Sequence, residues 1–569
     1  MRRALRAARR SRRKRAAPPR AREPASARHG SSCGRDGRRA AFGKVPAVTT
    51  RSRERTERSV RRALGVALLA PVLLAVACSR GERAGATAPH VIVISLDTTR
   101  ADHVGAYGSQ VRTPALDRVA REGVLFEAAS AACTTTLPSH VTLFTGRWPL
   151  RHGVVRNGYT VHPDNRMLPE ILREAGYRTA GVSAAVALSK LLDFPQGFEV
   201  WDQDPETGGG PRAANRAARR ADAITDATLA YLDASAKDPR PLFLFVHYVD
   251  PHAPYDPPEP YRSMYGPIPP GADGSYAAIE RAQRRHRGDD SAAPLATDLS
   301  RTLIESFRGE PAGEDRWLAQ LYAGEVSYLD AEVGRLLEAL AARDLYDDAL
   351  IVVTADHGET FWEHPDTWSH GAAVYETTVR VPLIVRFPQG RHAGVRVATP
   401  VSHVDVVPTV LDVLGSSAGA VDGASLLPLV RGEPFEGAPA FSQAPLAATA
   451  REASAARWKN EAKAHSVRLG RWKLVRTPYL GMEELYDLDR DPGERRDLLR
   501  DPPPDAMQAL PDLRDALGRW MASADPLASE FFPRTKPRDA AQAAQQREMW
   551  ERLRALGYVS GDEAPPAGF

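Results

Sequence analysis

Three short apolar runs, far apart in the sequence, constrain the fold more than any other feature. They cover residues 90–97, 242–248 and 349–354. Runs of this length that are rich in Val, Ile, Leu and Phe predict buried strands. Amphipathic patterns with helical spacing lie between and around them, at residues 113–123, 168–177 and 319–342. Strands that alternate with helices predict an α/β fold with a large, mainly parallel sheet flanked by helices.

The ends of these strands indicate where a functional site lies. Asp97 ends the first run, and Asp356 follows the third run by two residues. Ligands of open parallel sheets bind at the carboxyl ends of the strands, so both acids are candidates for such a site. Further along the chain, residues 471–475 and 484–488 predict strands of a smaller C-terminal sheet.

The net charge of +5 is unevenly distributed. Residues 1–62 contain 22 Lys and Arg against 4 Asp and Glu, whereas the remaining residues contain 54 against 67. The basic segment has no periodicity and no aromatic residue apart from Phe42. We therefore expect a disordered segment, or translation that begins downstream of Met1, rather than a nucleic-acid partner.

A signal for export follows the basic segment, at residues 60–78. Residues 63–77 form an uncharged apolar run of 15 residues, which suits the core of a signal peptide better than a bilayer span. Cys78 follows at once, as in a lipobox. We expect a protein of the bacterial periplasm or cell envelope, anchored to the membrane by a lipid on Cys78, with residues 79–89 as a tether. An uncleaved or unlipidated leader, or a cytosolic protein, are the alternatives.

Four stretches carry recognisable chemistry, in a fixed order: residues 95–103 (SLDTTRADH), 136–147 (TLPSHVTLFTGR), 246–254 (VHYVDPHAP) and 354–359 (TADHGE). Together they resemble the motifs of the sulfatase family, within the alkaline phosphatase superfamily. The resemblance implies an alkaline-phosphatase-like catalytic domain over residues 90–418, with an insertion at 257–315. Residues 419–569 would form a C-terminal subdomain and tail.

The resemblance implies a metal-dependent hydrolase. Asp97, Asp356 and His357 match the metal ligands of the family, with Thr136 as a further ligand. These side chains suit Mn, Zn, Ca or Mg. Thr98 stands where sulfatases often carry a second acid, and fewer carboxylates favour a transition-type ion over calcium.

Thr136 stands where the sulfatase signature has Cys or Ser. Sulfatases oxidise that residue to formylglycine, and the Cβ methyl group of threonine excludes the same aldehyde. Cys133 lies in the wrong register to replace it. We therefore expect no formylglycine, and we expect Thr136 itself to be a metal-activated nucleophile.

The resemblance also assigns roles to four further residues. His252 and His370 are predicted catalytic residues that protonate a leaving group or contact its anion. His140 and Arg147, on the signature itself, are predicted substrate-binding residues. The lysine and histidine that usually follow the helix ending at Gly176 in sulfatases are missing here, which leaves the choice between sulfate and phosphate open.

Four functions fit these residues. The first is hydrolysis of a sulfuric or phosphoric ester of a small molecule, glycan or lipid by Thr136, with a preference for phosphate. The second is sulfuric-ester hydrolysis without formylglycine, by a metal-bound water. The third is a transferase that passes a phospho-headgroup to a cell-surface glycan or lipid. The fourth is a surface binding protein that has lost catalysis.

Overall fold

The computed structural model describes residues 88–203, 219–286, 314–361, 363–364, 369–435, 437, 439–445, 464–478, 481–523, 543, 544, 547, 550 and 551. The predicted basic segment 1–62, the predicted leader 60–78 and most of the predicted tether 79–89 lie outside the described residues. Among the helices that are described, none has the length and apolarity needed to cross a bilayer.

The strands in the described part of the chain are β1 (His90–Leu96), β2 (Val124–Ser130), β3 (Arg178–Ser183), β4 (Val200–Asp202), β5 (Leu242–Tyr248), β6 (Ala349–Thr354), β7 (Arg380–Arg386), β8 (Val395–Val397), β9 (Val401–Ser402), β10 (Ala440–Ala444), β11 (Ala464–Leu469), β12 (Trp472–Thr477) and β13 (Met482–Asp487). The α-helices there are α1 (Pro114–Glu122), α2 (Thr136–Thr145), α3 (Pro149–His152), α4 (Leu168–Glu174), α5 (Ala221–Ala234), α6 (Tyr276–His286), α7 (Glu314–Ala341), α8 (Glu376–Val379), α9 (Val406–Val413), α10 (Leu427–Val430) and α11 (Pro504–Ala522).

The larger sheet has the strand order β4-β3-β5-β1-β6-β7-β2-β8, and β9 also pairs with β2. Strand β7 runs antiparallel to both of its neighbours, and the other pairs are parallel. The predicted fold class is therefore confirmed: a mainly parallel sheet flanked by helices, with a smaller C-terminal sheet.

The centre of this sheet holds the three apolar runs. Strands β5, β1 and β6 lie side by side, so that Ser95 pairs with His247 on one flank and with Thr354 on the other. The six residues of β6 and all seven of β5 are buried. The carboxyl ends of these three strands therefore lie next to one another, at the same edge of the sheet, and the candidate active site is at this edge.

The segment that carries Thr136 is helical. Thr136–Thr145 forms a buried α-helix, α2. Pro138 occupies its first turn, where a missing backbone N–H removes no helical hydrogen bond. The helix ends at Gly146, whose φ of +64° is the left-handed conformation that glycine adopts without strain.

The smaller sheet has the antiparallel order β10-β11-β12-β13, with α11 packed on β11 and β12. Its core includes Leu474 and Trp520 together with Trp148 and Val404 from the larger part. The ammonium group of Lys473, which is only 1% exposed, lies 2.8 Å from carboxylate oxygens of Glu376 and of Glu494. The two sheets therefore share buried apolar and ionic contacts.

The predicted insertion is described only in part. Helix α6 and the N-terminal half of α7 enclose a small apolar cluster that includes Tyr255, Ile279 and Trp317. Residues 287–313 lie outside the described residues. The domain boundaries drawn from the sequence stay predictions, and the first strand of the smaller sheet begins at Ala440.

Candidate active site

Three predicted metal ligands meet at the carboxyl ends of β1 and β6. One ligand atom from each of Asp97, Asp356 and His357 lies within 4.8 Å of the other two, and all three residues are buried. Oδ1 of Asp356 accepts hydrogen bonds from the backbone N–H groups of Thr98 (3.1 Å) and His357 (2.8 Å). Its Oδ2 is therefore left to face the cluster.

The donor atoms of this trio fit a divalent cation. Within the described part of the chain, Asp97 Oδ1, Asp356 Oδ2 and His357 Nε2 are buried without a hydrogen-bond partner. Nδ1 of His357 lies 3.0 Å from the Gly358 carbonyl oxygen, which can only accept, so Nδ1 carries the proton and Nε2 presents its lone pair. Orphaned carboxylate and imidazole atoms of this kind are metal ligands by chemical type.

The electrostatics of the trio lead to the same interpretation. Burial, followed by repulsion from the Asp356 carboxylate, raises the pKa of Asp97 well above its usual value. Burial also raises the pKa of Asp356. It lowers the pKa of His357 to about 3, so its imidazole is neutral at pH 7. A cation would favour the charged form of both carboxylates, and neutral imidazole is the form that binds metals.

Thr136 begins α2, next to this trio. The residue is only 2% exposed. The first turn of α2 is fastened to Asp356, because the Ser139 hydroxyl donates to the Asp356 carbonyl oxygen at 2.6 Å. At the start of the helix, the Leu137 N–H donates to Oδ1 of Asn157 at 2.8 Å. These contacts fix the start of α2 beside Asp356.

The two predicted catalytic histidines, His252 and His370, lie next to the predicted metal ligand His357. The rings of His252 and His370 lie 5.0 Å apart, and the His370 ring lies 4.5 Å from that of His357. Oε1 of the buried Glu359 lies 3.2 Å from Nδ1 of His370, and its Oε2 accepts from the Tyr255 hydroxyl at 3.2 Å. Burial lowers the pKa of both His252 and His370 to about 4.

Comparison with known proteins settles the family. A family model described as "Sulfatase" matches residues 89–416, more than half of the chain. The chain belongs to the sulfatase family. A second model, described as "N-sulphoglucosamine sulphohydrolase, C-terminal", matches residues 364–519 of this sulfatase-family chain.

Curated relatives and solved structures agree with this. The chain is 25% identical over 415 residues to an N-acetylglucosamine-6-O-sulfatase of Bacteroides thetaiotaomicron, covering 63% of this chain and 73% of the relative. It is 27% identical over 416 residues to the multifunctional alkaline phosphatase superfamily protein PehA of Trinickia caryophylli, covering 62% and 79%. The crystal structure of a phosphonate monoester hydrolase of Agrobacterium radiobacter shares the fold, with a TM-score of 0.58, 24% identity and coverage of 79% and 98%.

These findings confirm that this sulfatase-family protein is a hydrolase that acts on sulfuric or phosphoric ester bonds. Sulfatase-family enzymes depend on a metal ion, and Asp97, Asp356 and His357 form a group that could hold one. Which metal binds stays a prediction, as do the roles of the individual site residues.

The predicted substrate-binding residues His140 and Arg147 differ in position from the predicted metal ligands and catalytic histidines: His140 is fully bonded within the protein, and Arg147 lies beyond the far end of α2. Both ring nitrogens of His140 already have protein partners, since Nδ1 lies 2.8 Å from the Thr136 carbonyl oxygen and Nε2 lies 2.8 Å from the Ser95 hydroxyl. Arg147 lies beyond the opposite end of α2, whose last residue Thr145 is about 14 Å along the helix from Thr136 at 1.5 Å per residue. Substrate contact by either residue stays a prediction.

Three residues near the site were not singled out from the sequence: Asn157, His247 and Glu359. Glu359 is the last residue of the stretch 354–359, and its position two residues after His357 is a signal for a site residue. His247 lies inside the stretch 246–254, but a lone imidazole in an otherwise apolar and aromatic strand is a weak signal. Asn157 gives no local signal, because its partner Leu137 lies 20 residues away.

Proposed function

We propose that this enzyme hydrolyses phosphoric esters with Thr136 as its nucleophile. The observation that carries the proposal is the buried start of α2, because Thr136 begins the turn in which the Ser139 hydroxyl donates to the Asp356 carbonyl oxygen. A threonine hydroxyl needs no prior oxidation to act as a nucleophile, and its Cβ methyl group excludes the formylglycine aldehyde.

The reaction has two displacements at phosphorus. The Thr136 oxygen forms a bond to phosphorus while the bond to the departing alkoxide breaks, which leaves a phosphothreonine. Water then attacks that phosphorus and releases Thr136 and phosphate. His252 and His370, whose neutral forms can accept a proton, would take it from the attacking hydroxyl or water and return it to the departing oxygen.

The metal ligands have a separate task. Asp97, Asp356 and His357 would hold a divalent cation, which would lower the pKa of a neighbouring hydroxyl and neutralise non-bridging ester oxygens. The positive end of the α2 helix dipole lies at Thr136, a position at which helices favour anions. The chain thereby offers positive potential where the ester anion would lie.

Sulfuric-ester hydrolysis is the second candidate. It is favoured by the match of residues 364–519 to a sulphohydrolase C-terminal region and by the similarity to an N-acetylglucosamine-6-O-sulfatase. Sulfated or phosphorylated small molecules, glycans and lipids are the substrate classes we propose. The headgroup transferase and the non-catalytic binding protein have no specific observation in their favour.

Turnover of matched aryl esters tests the nucleophile. The purified full-length protein is assayed with an aryl phosphate monoester, an aryl phosphodiester and an aryl sulfate, each with Mn²⁺, Zn²⁺, Mg²⁺ or Ca²⁺. We expect phosphate-ester cleavage that falls by at least about 10³-fold in Thr136→Ala. Acid quenching of the wild type during turnover should trap phosphate on Thr136, detected by mass spectrometry.

Thr136→Ser is the matched control, because it keeps the hydroxyl group and removes only the methyl group. It should retain measurable turnover, whereas Thr136→Ala keeps the fold and loses turnover. Aryl sulfate hydrolysis that survives in Thr136→Ala would overturn the proposal and favour the second candidate.

We also propose export and lipid anchoring at Cys78. This rests on the apolar run at residues 63–77 and the lipobox-like residues before the cysteine. Incorporation of labelled fatty acid in a bacterial host should disappear in Cys78→Ala, with the protein moving from the membrane to the soluble fraction. Unlabelled, soluble wild-type protein would contradict the anchor.

A further inference from the structure

His247 is buried at the end of β5, among the metal ligands. It is 0% exposed, and the sheet register places it between Ser95 of β1 and Ser183 of β3. Its Nδ1 lies 3.2 Å from the Ser183 hydroxyl. Its Nε2 has no hydrogen-bond partner in the part of the chain that the structure describes. A buried imidazole nitrogen without a partner costs free energy, so it calls for an explanation.

The unpartnered nitrogen faces the predicted metal centre. His247 Nε2 lies 3.6 Å from Oδ2 of Asp97. This separation exceeds that of a hydrogen bond. It is close to the spacing of about 3.3 Å between two atoms that both bind one tetrahedral ion at 2.0–2.1 Å. His357 Nε2 and Asp356 Oδ2 lie at a similar distance, 3.5 Å.

A second histidine, His140, also lies here: one ring nitrogen of His140, one of His247 and a carboxylate oxygen of Asp356 are all within 4.8 Å of one another. The two ring nitrogens of His140 are both engaged, one by the Thr136 carbonyl oxygen and one by the Ser95 hydroxyl. Binding a cation would break one of these contacts, whereas His247 Nε2 has no contact to lose. His247 is therefore the histidine that adds to the metal trio.

We propose that His247 is a fourth protein ligand of the cation bound by Asp97, Asp356 and His357. His247 Nε2, which lies 3.6 Å from Asp97 Oδ2 and within 4.8 Å of a carboxylate oxygen of Asp356, would then join the three ligands of the trio on one ion. Two imidazoles and two carboxylates select a zinc-type transition ion, because calcium takes six to eight oxygen ligands. The inference does not depend on which group is the nucleophile.

Counting the nitrogen ligands tests this directly. The full-length protein is stripped of metal by a chelator, loaded with one equivalent of Cu²⁺ and examined by pulsed EPR, which detects imidazole nitrogens bound to the ion. We expect two imidazoles in the wild type and one in His247→Gln. The wild-type measurement alone overturns the proposal if it shows a single imidazole, so the test survives a variant that fails to fold.

His403→Asn is the matched control for loss of a buried histidine in the same region. His403 contacts the hydroxyl groups of Ser139 and Thr354, at 3.2 and 3.3 Å, and has no place in the metal trio. This variant should still show two bound imidazoles. A count that falls equally in His403→Asn and His247→Gln would mean that the site is merely distorted, and would contradict the proposal.

Metal affinity gives a second readout that needs no substrate. Loss of an outer partner of a metal ligand costs 10–100-fold in affinity. Loss of a ligand should cost more, so we expect His247→Gln to weaken Zn²⁺ binding by more than about 100-fold in competition with a chelating dye. Glutamine retains a donor that can bond to Asp97, so unchanged Zn²⁺ affinity would mean that His247 acts only through a hydrogen bond.

Discussion

At the scale of single residues, the contact between Glu359 and His370 predicts that Glu359 positions the His370 ring. Its buried carboxylate contacts Nδ1 of His370 and the Tyr255 hydroxyl, each at 3.2 Å. A carboxylate on one imidazole nitrogen fixes the ring orientation and the tautomer, and leaves the other nitrogen for the substrate. Glu359→Gln should therefore lower kcat by about 10²-fold or more, since general acid–base catalysis contributes 10²–10⁴-fold, while KM changes little.

Tyr255→Phe is the matched control for this prediction. It removes the hydrogen bond from the Tyr255 hydroxyl to Glu359 and leaves the contact with His370 in place. Steady-state kinetics on the aryl ester turned over by the wild type should give a kcat close to that of the wild type. An equal fall of kcat in Tyr255→Phe and Glu359→Gln would show that the carboxylate matters only for packing.

At the scale of elements, α2 shows what the sequence could and could not predict. Strands β5 and β6 were predicted with their observed bounds, because an apolar run between polar flanks is a local signal. The helical start at Thr136 was not predicted, because three threonines and Pro138 favour a turn. The helix forms there because Asn157, far away in sequence, satisfies the Leu137 N–H.

The same contact predicts how Asn157 contributes to activity. Asn157 is buried; its Oδ1 accepts at the start of α2, and its Nδ2 has no partner among the described residues. Asn157→Asp keeps the acceptor but replaces the donor with a negatively charged oxygen beside Thr136. We expect Asn157→Asp to lose at least about tenfold in kcat/KM, because the added charge repels the ester anion.

Asn157→Ala removes both groups and provides the comparison. It should lose about 0.5–2 kcal/mol of unfolding free energy, the usual effect of losing a helix cap, measured by urea denaturation. If Asn157→Asp has the kcat/KM of the wild type, the side chain only caps the helix and has no role beside the substrate.

At the scale of the whole molecule, the site depends on contacts that no local pattern contains. Asp97, His247 and Asp356 come from three strands separated by more than a hundred residues, and parallel pairing in the centre of the sheet brings them together. The sequence predicted the two acids, because each follows an apolar run. It could not predict His247 as a partner, since that requires the order of the strands in the sheet.

This arrangement makes the stability of the molecule depend on metal and pH. The folded-state pKa values of Asp97 and Asp356 are raised by burial, so the metal-free fold keeps protons that the unfolded chain releases above its own pKa of about 3.9. The unfolding free energy of the metal-free protein therefore falls as the pH rises from about 3.9 towards the raised folded-state pKa values. A cation favours the charged carboxylates and adds about 2.7 kcal/mol of unfolding free energy at a concentration of 100 Kd.

We expect a chelator to lower the urea midpoint clearly at pH 7.5 and much less at pH 5. Asp97→Asn, which removes one carboxylate charge at nearly constant volume, should make the midpoint at pH 7.5 insensitive to the chelator. An equal chelator effect in Asp97→Asn and the wild type would place the cation elsewhere in the molecule.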